Sequence, residues 1–232
     1  MSIKTFIKSI PVLGPLAKAL FGKKSHTNDQ FPGSANYWEN RYAQGGNSGA
    51  GSYNRLAEFK AEIINDFVAK NKVQSVIEFG CGDGNQLELA NYPKYLGLDV
   101  SETILEQCRV RFEKDLSKEF QLSNELTNSD LRSELTMSLD VLFHLIEPTI
   151  FENYMRELFA TSERFVIIYS SNFDKEQTFH EKDRKFTEWV AQNISEWRLI
   201  EEITNRYPFD PEHPNETSKA DFFIYEKGQV QA

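Results

Sequence analysis

The stretch Val76-Ile77-Glu78-Phe79-Gly80-Cys81-Gly82-Asp83-Gly84-Asn85 decides the fold that this sequence predicts. An apolar strand ends in an acid, Glu78, and runs into a Gly-x-Gly-x-Gly loop. Glycines let the backbone turn sharply and let a ligand approach without a Cβ in the way. In open α/β sheets, ligands bind outside the carboxyl ends of the strands, where the strand order reverses. The stretch therefore predicts a ligand site at the end of a buried strand.

Strands and helices alternate around this loop, which predicts an α/β fold with a doubly wound, mostly parallel sheet. We expect strands at residues 73–79, 95–99, 119–122, 135–139 and 164–170. We expect helices at residues 53–71, 102–115, 149–160 and 181–193. No helical pattern separates the last two predicted strands, at residues 198–204 and 220–226, so these should form an antiparallel hairpin at the sheet edge.

Two acids separate this loop from the loop of a dinucleotide-binding enzyme. The glycine spacing is not Gly-x-Gly-x-x-Gly, and Glu78 stands where a pyrophosphate would be repelled. Asp99 ends the next strand, 21 residues after Glu78. There its carboxylate can accept hydrogen bonds from ribose hydroxyls.

At these residues the sequence resembles the class I S-adenosylmethionine-dependent methyltransferases, over roughly residues 73–226. Glu78–Gly84 resembles their first motif, Asp99 their ribose-binding acid, and residues 135–144 their fourth-strand motif. The resemblance implies a Rossmann-like, seven-stranded sheet, S-adenosyl-L-methionine as the cofactor, and methyl transfer. The predicted cofactor-binding residues are Glu78, Gly80, Cys81, Gly82, Gly84, Asp99, Val100, Leu139, Trp38 and Tyr42. Where the family often reads the adenine amino group with an acid, this sequence offers Asn124 or Asp130.

A narrower resemblance is to methyltransferases found with bacterial surface-polysaccharide enzymes. It is carried by residues 37–42 (Tyr-Trp-Glu-Asn-Arg-Tyr), the glycine-rich loop 45–52, residues 169–172 and residues 218–225. It implies a role in polysaccharide biosynthesis, with O-methylation of a sugar hydroxyl in a surface glycan or a glycolipid intermediate.

The predicted catalytic residues follow the fourth and fifth strands. Methyl transfer mainly requires alignment of donor and acceptor, but an oxygen acceptor also benefits from a general base. Asp140 and His144 are four residues apart, so one helical turn would place them on the same side. His180 lies in the polar segment after the fifth strand. The alternatives are a histidine buried against a loop for His144 and a solvated surface position for His180.

The acceptor side supplies three further predictions. Asn172, Arg184 and Tyr169 are predicted to bind the substrate, since Arg184 can pair with hydroxyls or an acidic group. Asp140, His144 and His180 could converge on a metal ion, but nothing in their spacing demands one, so no metal site is predicted.

Composition limits the partners. The 232 residues carry a net charge of −9 and 40% hydrophobic residues, which predicts a real core and no nucleic-acid partner. Residues 1–28 contain five lysines and no acid. We therefore divide the chain into a basic amphipathic extension with its linker (residues 1–36) and a methyltransferase domain (residues 37–232) that starts with a lid (residues 37–53). The extension either contacts an anionic membrane or a partner such as a glycosyltransferase, or is an arm without a partner.

The two cysteines belong to no metal-binding or disulfide pattern, and the N-terminus is a poor secretory signal. We expect a cytoplasmic protein, at the inner face of the membrane if the extension binds there. Three other functions stay open: methylation of another small oxygen or nitrogen acceptor, a non-catalytic partner-binding module with this fold, and an NAD-dependent reductase, which the loop spacing disfavours.

Overall fold

A seven-stranded sheet forms the centre of the protein, as the sequence predicted. The structure is a computed structural model that describes residues 31–123 and 131–228. The strands are β1 (Val76–Phe79), β2 (Tyr95–Asp99), β3 (Lys118–Leu122), β4 (Ser133–Leu139), β5 (Ser162–Ser170), β6 (Trp197–Ile203) and β7 (Asp221–Lys227). They lie in the order β3-β2-β1-β4-β5-β7-β6.

The first five strands are parallel, and β7 runs antiparallel to both β5 and β6. The predicted doubly wound, mostly parallel sheet with an antiparallel pair at its edge is therefore confirmed. The chain steps outward from β1 to β3 and then returns to pair β4 with the other side of β1. This reversal places a topological switch point between β1 and β4, where a ligand cleft is expected.

Helices cover both faces of the sheet and close two apolar cores. They are α1 (Ser34–Ala43), α2 (Asn54–Asn71), α3 (Glu102–Arg111), α4 (Pro148–Thr161) and α5 (Phe186–Asn193). The cores follow from the amphipathic pattern, because α2 and α3 place their apolar side chains in one cluster while α4 and α5 place theirs in the other. Local signals set the helix starts: Ser101 caps α3 by accepting from the Ile104 N–H, and Pro148 begins α4.

Several local predictions differ from the structure; for example, the helix predicted over residues 102–115 ends at Arg111. The first strand begins at Val76 instead of residue 73, and the helix predicted from residue 181 begins at Phe186. Residues 181–185 are irregular because the Lys182 N–H donates to the Phe143 carbonyl (2.7 Å) instead of to a helical neighbour. Asp140 and His144 do not share one α-helical turn, since a 3₁₀ turn at Leu142–His144 follows β4.

The basic amphipathic extension falls almost entirely outside the described residues, as do Asn124 and Asp130. The compact unit that contains the sheet begins at Gly33. Within residues 31–123 and 131–228, no helix combines the length and the apolar character that crossing a membrane requires.

Candidate active site

A cavity of about 480 Å³ lies at the carboxyl ends of β1, β2 and β4, at the switch point of the sheet. Helix α1 and the loop after it contribute to its wall. The predicted cofactor-binding residues that line the cavity are Trp38, Tyr42, Glu78, Gly80, Cys81, Gly82, Asp99, Val100 and Leu139. All the predicted cofactor-binding residues except Gly84 thus lie at one cavity, and their binding of cofactor stays a prediction.

Close packing explains two of the glycines in the loop after β1. Gly80 and Gly82 have positive φ angles of 80° and 58°, which L residues with a side chain rarely adopt. A Cβ on Gly80 would lie 2.5 Å from Val141 Cγ2, and a Cβ on Gly82 would lie 2.3 Å from Ser48 Oγ. These glycines therefore keep the loop in contact with its neighbours and open to a ligand.

Gly84 packs against a helix end, and its binding of cofactor stays a prediction. It is not among the residues that line the cavity, and a Cβ at this position would lie 2.7 Å from the ring of Phe112, just after α3. Gly84 is therefore explained by packing of the loop against the C-terminal end of α3.

Asp99 is a buried carboxylate with fixed orientation. Its Oδ2 accepts a hydrogen bond from the Gly82 N–H (3.0 Å), and its Oδ1 accepts one from the Ser101 N–H (3.0 Å). Burial raises the pKa of Asp99 to about 6, although backbone N–H groups, of Val100 as well as of Gly82 and Ser101, oppose this rise. Each oxygen retains a further lone pair, so the carboxylate can accept two more hydrogen bonds from a ligand in the cavity.

Glu78 is the second buried acid of the cavity. Its Oε2 accepts a hydrogen bond from the Tyr95 hydroxyl (2.7 Å). Burial raises the pKa of Glu78 to about 7, and Tyr95 and the nearby Lys60 ammonium act in the opposite direction. A cationic ligand in the cavity would stabilise the ionised forms of both Glu78 and Asp99.

Asp140 forms an ion pair with the buried Lys60, a residue that the sequence did not indicate. Lys60 Nζ lies 2.7 Å from Asp140 Oδ2 and 5.3 Å from the centre of the Tyr169 ring. Asp140 also has a positive φ angle of 59°, and its carboxylate lies close to Gly51 of the lid segment. Its orientation is therefore set by Lys60 and by the backbone.

Gln86 is a second cavity residue that the sequence did not single out. Its Nε2 donates to the Ala57 carbonyl (3.0 Å), whereas its buried Oε1 has no hydrogen-bond partner among the described residues. An unsatisfied buried acceptor is costly, which makes Gln86 a candidate to receive a donor from a bound ligand. No sequence signal distinguishes this glutamine from other polar residues of a loop.

The predicted lid segment lies against the glycine loop. Ser48 and Asp83 exchange two hydrogen bonds, from the Ser48 N–H to Asp83 Oδ2 (2.9 Å) and from the Asp83 N–H to Ser48 Oγ (2.8 Å). The Tyr53 hydroxyl also donates to Asp83 Oδ2 (2.7 Å), and the Tyr42 hydroxyl lies 3.2 Å from Ser48 Oγ. In this structure the segment is therefore held against the glycine loop by hydrogen bonds, and its role as a lid stays a prediction.

His144 and His180 lie together at the rim of the cavity. Their rings are nearly parallel, with centroids 5.5 Å apart, and the ring of Tyr37 stacks on His180 at 5.0 Å. His144 Nδ1 lies 3.1 Å from the His180 carbonyl oxygen, and Trp38 contacts the His144 ring edge to face. Removal from bulk water lowers the pKa of His144 to about 4. His144 is therefore neutral and weakly basic near pH 7.

The structure places the three predicted substrate-binding residues outside the wall of the cavity. Tyr169 is buried and accepts a hydrogen bond from Asn205 Nδ2 (2.7 Å). Asn172 accepts from both the hydroxyl and the N–H of Thr187. Their side chains hold the framework of the sheet and α5, and their binding of substrate stays a prediction.

Arg184 joins two loops. Its guanidinium donates to the carbonyl oxygens of Leu145 (2.7 Å) and Ile146 (2.9 Å). These bonds fix the segment after β5 to the segment after β4, which carry His180 and His144 respectively. Arg184 is thus placed to hold the two histidines in position.

No protein-family model and no curated protein matches the sequence. The fold, however, is similar to that of solved methyltransferases. The methyltransferase domain of a bacterial Hen1, CtHen1, is 16% identical with a TM-score of 0.57, covering 73% of this chain and 97% of that one. The N-methyltransferase NodS from Bradyrhizobium japonicum, in complex with S-adenosylhomocysteine, is 11% identical with a TM-score of 0.58, covering 75% and 88%.

A third similar structure is the magnesium protoporphyrin IX methyltransferase ChlM from Synechocystis, with bound S-adenosylhomocysteine. It is 13% identical with a TM-score of 0.57, covering 75% of this chain and 85% of that one. At these identities the three structures establish the fold, which is the one that the sequence predicted.

Proposed function

We propose that this protein is an S-adenosylmethionine-dependent methyltransferase that methylates a sugar hydroxyl of a surface glycan or a glycolipid intermediate. The observation that carries the cofactor assignment is Asp99. Its buried carboxylate is oriented by two backbone donors at the switch point and keeps one lone pair on each oxygen. Two ribose hydroxyls of the cofactor would complete its hydrogen bonds.

The charges around the cavity also support a sulfonium cofactor. Glu78, Asp99 and Asp140 supply carboxylates to the wall, and Lys60 is paired with Asp140. A cation is favoured in such a site and a dinucleotide pyrophosphate is not. Solved structures of the same fold bind this cofactor class, since ChlM and NodS contain S-adenosylhomocysteine.

The reaction needs alignment more than covalent assistance from the protein. A lone pair of the acceptor oxygen forms a bond to the methyl carbon as the carbon–sulfur bond breaks, and the electron pair of that bond stays on sulfur. S-adenosylhomocysteine is the product, and the hydroxyl proton leaves to a base or to water. The low pKa of His144 makes this residue a weak general base, so we do not assign it that role.

Aromatic side chains near the two histidines support a sugar acceptor. Tyr37 stacks on His180, and the ring of Phe179, which is 50% exposed, lies 6.4 Å from the His180 ring. The apolar faces of sugar rings pack well against aromatic rings. The net charge of −9 disfavours a polyanionic acceptor, although a similar fold occurs in the small RNA methyltransferase HEN1.

Two experiments test this function. Calorimetry with S-adenosylmethionine and with NADH should show binding of the first alone, and binding of NADH alone would indicate a reductase. Surface glycan from cells with and without the gene should then differ by one methyl group in mass spectrometry. Cofactor binding together with an unchanged glycan would exclude the glycan acceptor. Isotope-labelled S-adenosylmethionine with small-molecule and RNA acceptors would then separate another methyltransferase from a non-catalytic module.

A further inference from the structure

We propose that His144, His180 and Glu181 bind a divalent first-row transition-metal ion at the rim of the cavity, where the ion holds the acceptor hydroxyl. The metal site rests on the geometry of these three side chains, and its role toward an acceptor rests on the proposed function. Residue spacing alone left a metal ion possible at His144 and His180 without demanding one.

The three side chains already converge. One ligand atom from each lies within 4.8 Å of the other two, and His180 Nε2 lies 3.8 Å from Glu181 Oε1. Metal–ligand bonds of about 2.1 Å place adjacent ligand atoms roughly 3–3.5 Å apart. The His180 and Glu181 side chains are 36% and 34% exposed, so small rotations would bring them to this spacing.

The hydrogen bond of His144 sets its ring for metal binding. A carbonyl oxygen accepts only, so the contact between His144 Nδ1 and the His180 carbonyl (3.1 Å) requires a proton on Nδ1. With the proton on Nδ1, the lone pair of a neutral imidazole is on Nε2. A histidine that ligates a metal through one nitrogen commonly donates the other N–H to a carbonyl or carboxylate.

The two ligand-bearing segments are fixed to each other by groups other than the ligands. Lys182 donates its N–H to the Phe143 carbonyl (2.7 Å), and Arg184 donates to the carbonyls of Leu145 and Ile146. These bonds lie directly beside His180 and Glu181 on one segment and beside His144 on the other. The site is therefore preorganised by its surroundings.

The chemistry of the ligands selects the kind of ion. Two imidazoles and one carboxylate suit Zn²⁺, Mn²⁺, Fe²⁺ or Co²⁺, whereas Mg²⁺ and Ca²⁺ prefer oxygen ligands. Lys219 Nζ lies 2.9 Å from Glu181 Oε2 and 2.7 Å from Asp183 Oδ1, which leaves Glu181 Oε1 on the side of the histidines. Three ligands from the described residues leave coordination positions open, as in catalytic metal sites.

The position of the site gives the ion a role. His144 also lines the cavity that contains Asp99, so a hydroxyl on the ion would lie at the rim of the cofactor site. A hydroxyl bound to a divalent ion loses its proton to water more readily than a free one. The ion would thus supply activation of the acceptor hydroxyl at this position.

The test is metal titration of full-length, tag-free protein after dialysis against chelator. Co²⁺ should bind with a stoichiometry of one and give visible d–d absorption bands, and Zn²⁺ should displace it whereas Mg²⁺ should not. His180→Ala and Glu181→Gln should weaken Co²⁺ binding at least about tenfold, because changes in outer-sphere partners alone cost that much. The control His213→Ala alters an exposed loop histidine and should bind Co²⁺ as the parent does.

Two results would overturn the site: a parent protein that does not bind Co²⁺, and a His180→Ala protein that binds it as tightly as the parent. Calorimetry with S-adenosylmethionine on the same samples separates this proposal from the proposed function. Co²⁺ binding without cofactor binding would refute the methyltransferase and leave the metal site standing. Cofactor binding without Co²⁺ binding would refute the metal site alone.

Discussion

The proposed donor half and the proposed acceptor half of the site are built in different ways. The donor half consists of the ends of neighbouring strands, with Asp99 fixed by the N–H groups of Gly82 and Ser101. The acceptor half combines residues from three distant segments, around Tyr37, His144 and His180. The arrangement of residues in the donor half therefore follows from the backbone of the sheet, whereas the arrangement in the acceptor half depends on contacts between loops. Variants of the two halves should therefore have separate effects.

The largest effect should come from Asp99→Ala in the donor half. It removes charge-assisted hydrogen bonds to both ribose hydroxyls, worth on the order of 1.5–3 kcal/mol, so the Kd for S-adenosylmethionine should rise roughly 10- to 150-fold. The Co²⁺ affinity of the acceptor half should stay unchanged. Isothermal titration calorimetry measures both constants.

Asp115→Ala is the matched control for this variant, because Asp115 is a loop acid that pairs with Lys118 outside the cavity. Its cofactor Kd should equal that of the parent. Asp99→Asn, which retains one acceptor oxygen, should fall between Asp99→Ala and the parent. A parental Kd for Asp99→Ala would place the cofactor elsewhere.

A smaller effect on cofactor affinity should follow from protonation of Asp99 in the donor half. The pKa of Asp99 is about 6 without cofactor, and the cofactor needs the ionised form. The ionised fraction falls from roughly nine-tenths at pH 7 to one-tenth at pH 5, so the affinity should fall about tenfold. Binding at pH 6 should release protons, which calorimetry in buffers of different ionisation enthalpy detects. An affinity that is flat between pH 5 and 7 would contradict the assignment.

The stability of the cofactor-free protein should have the opposite dependence on pH. Raised carboxyl pKa values mean that the folded state holds its protons more tightly than the unfolded state. The contributions of Asp99 and Glu78 to stability are thus fully present below about pH 4 and are lost as pH rises through about 6 and 7. Chemical denaturation should show that the free energy of unfolding falls less steeply from about pH 4 to about pH 7 in Glu78→Gln than in the parent.

The halves also differ in how far the sequence predicted them. Glu78, the glycines and Asp99 can be recognised in the sequence as parts of one site. An apolar strand, the turn after it and an acid at the end of the next strand have positions that the backbone of the sheet alone determines. The alternation of strand and helix patterns likewise predicted the doubly wound, mostly parallel sheet and most element positions. Gly84 shows the limit of reasoning from local pattern, because the contact of Gly84 with Phe112 depends on where α3 packs.

The acceptor half depends on contacts that no local pattern contains. The expectation that Asp140 and His144 share a helical turn was wrong, because Asp140 has a positive φ angle and a 3₁₀ turn follows. Arg184 was assigned to substrate from its chemistry, yet its guanidinium donates to two backbone carbonyls. No sequence pattern marked Gln86 or Lys60 as part of the site, since only the fold brings these residues to the cavity.

The smallest effect, and the one that tests the division itself, concerns Trp38, which contacts both halves. Its ring lies 5.6 Å from Tyr42 and 4.9 Å from His144, and it lines the cavity. Aromatic pairs contribute about 0.5–1.5 kcal/mol each, so Trp38→Ala should lower the affinity for S-adenosylmethionine and the affinity for Co²⁺ by a few-fold each. Trp38→Phe retains a ring and should stay within about twofold of the parent, since such pairs keep most of their contact. If Trp38→Ala changes one constant and leaves the other at its parental value, the two halves are independent and Trp38 belongs to only one of them.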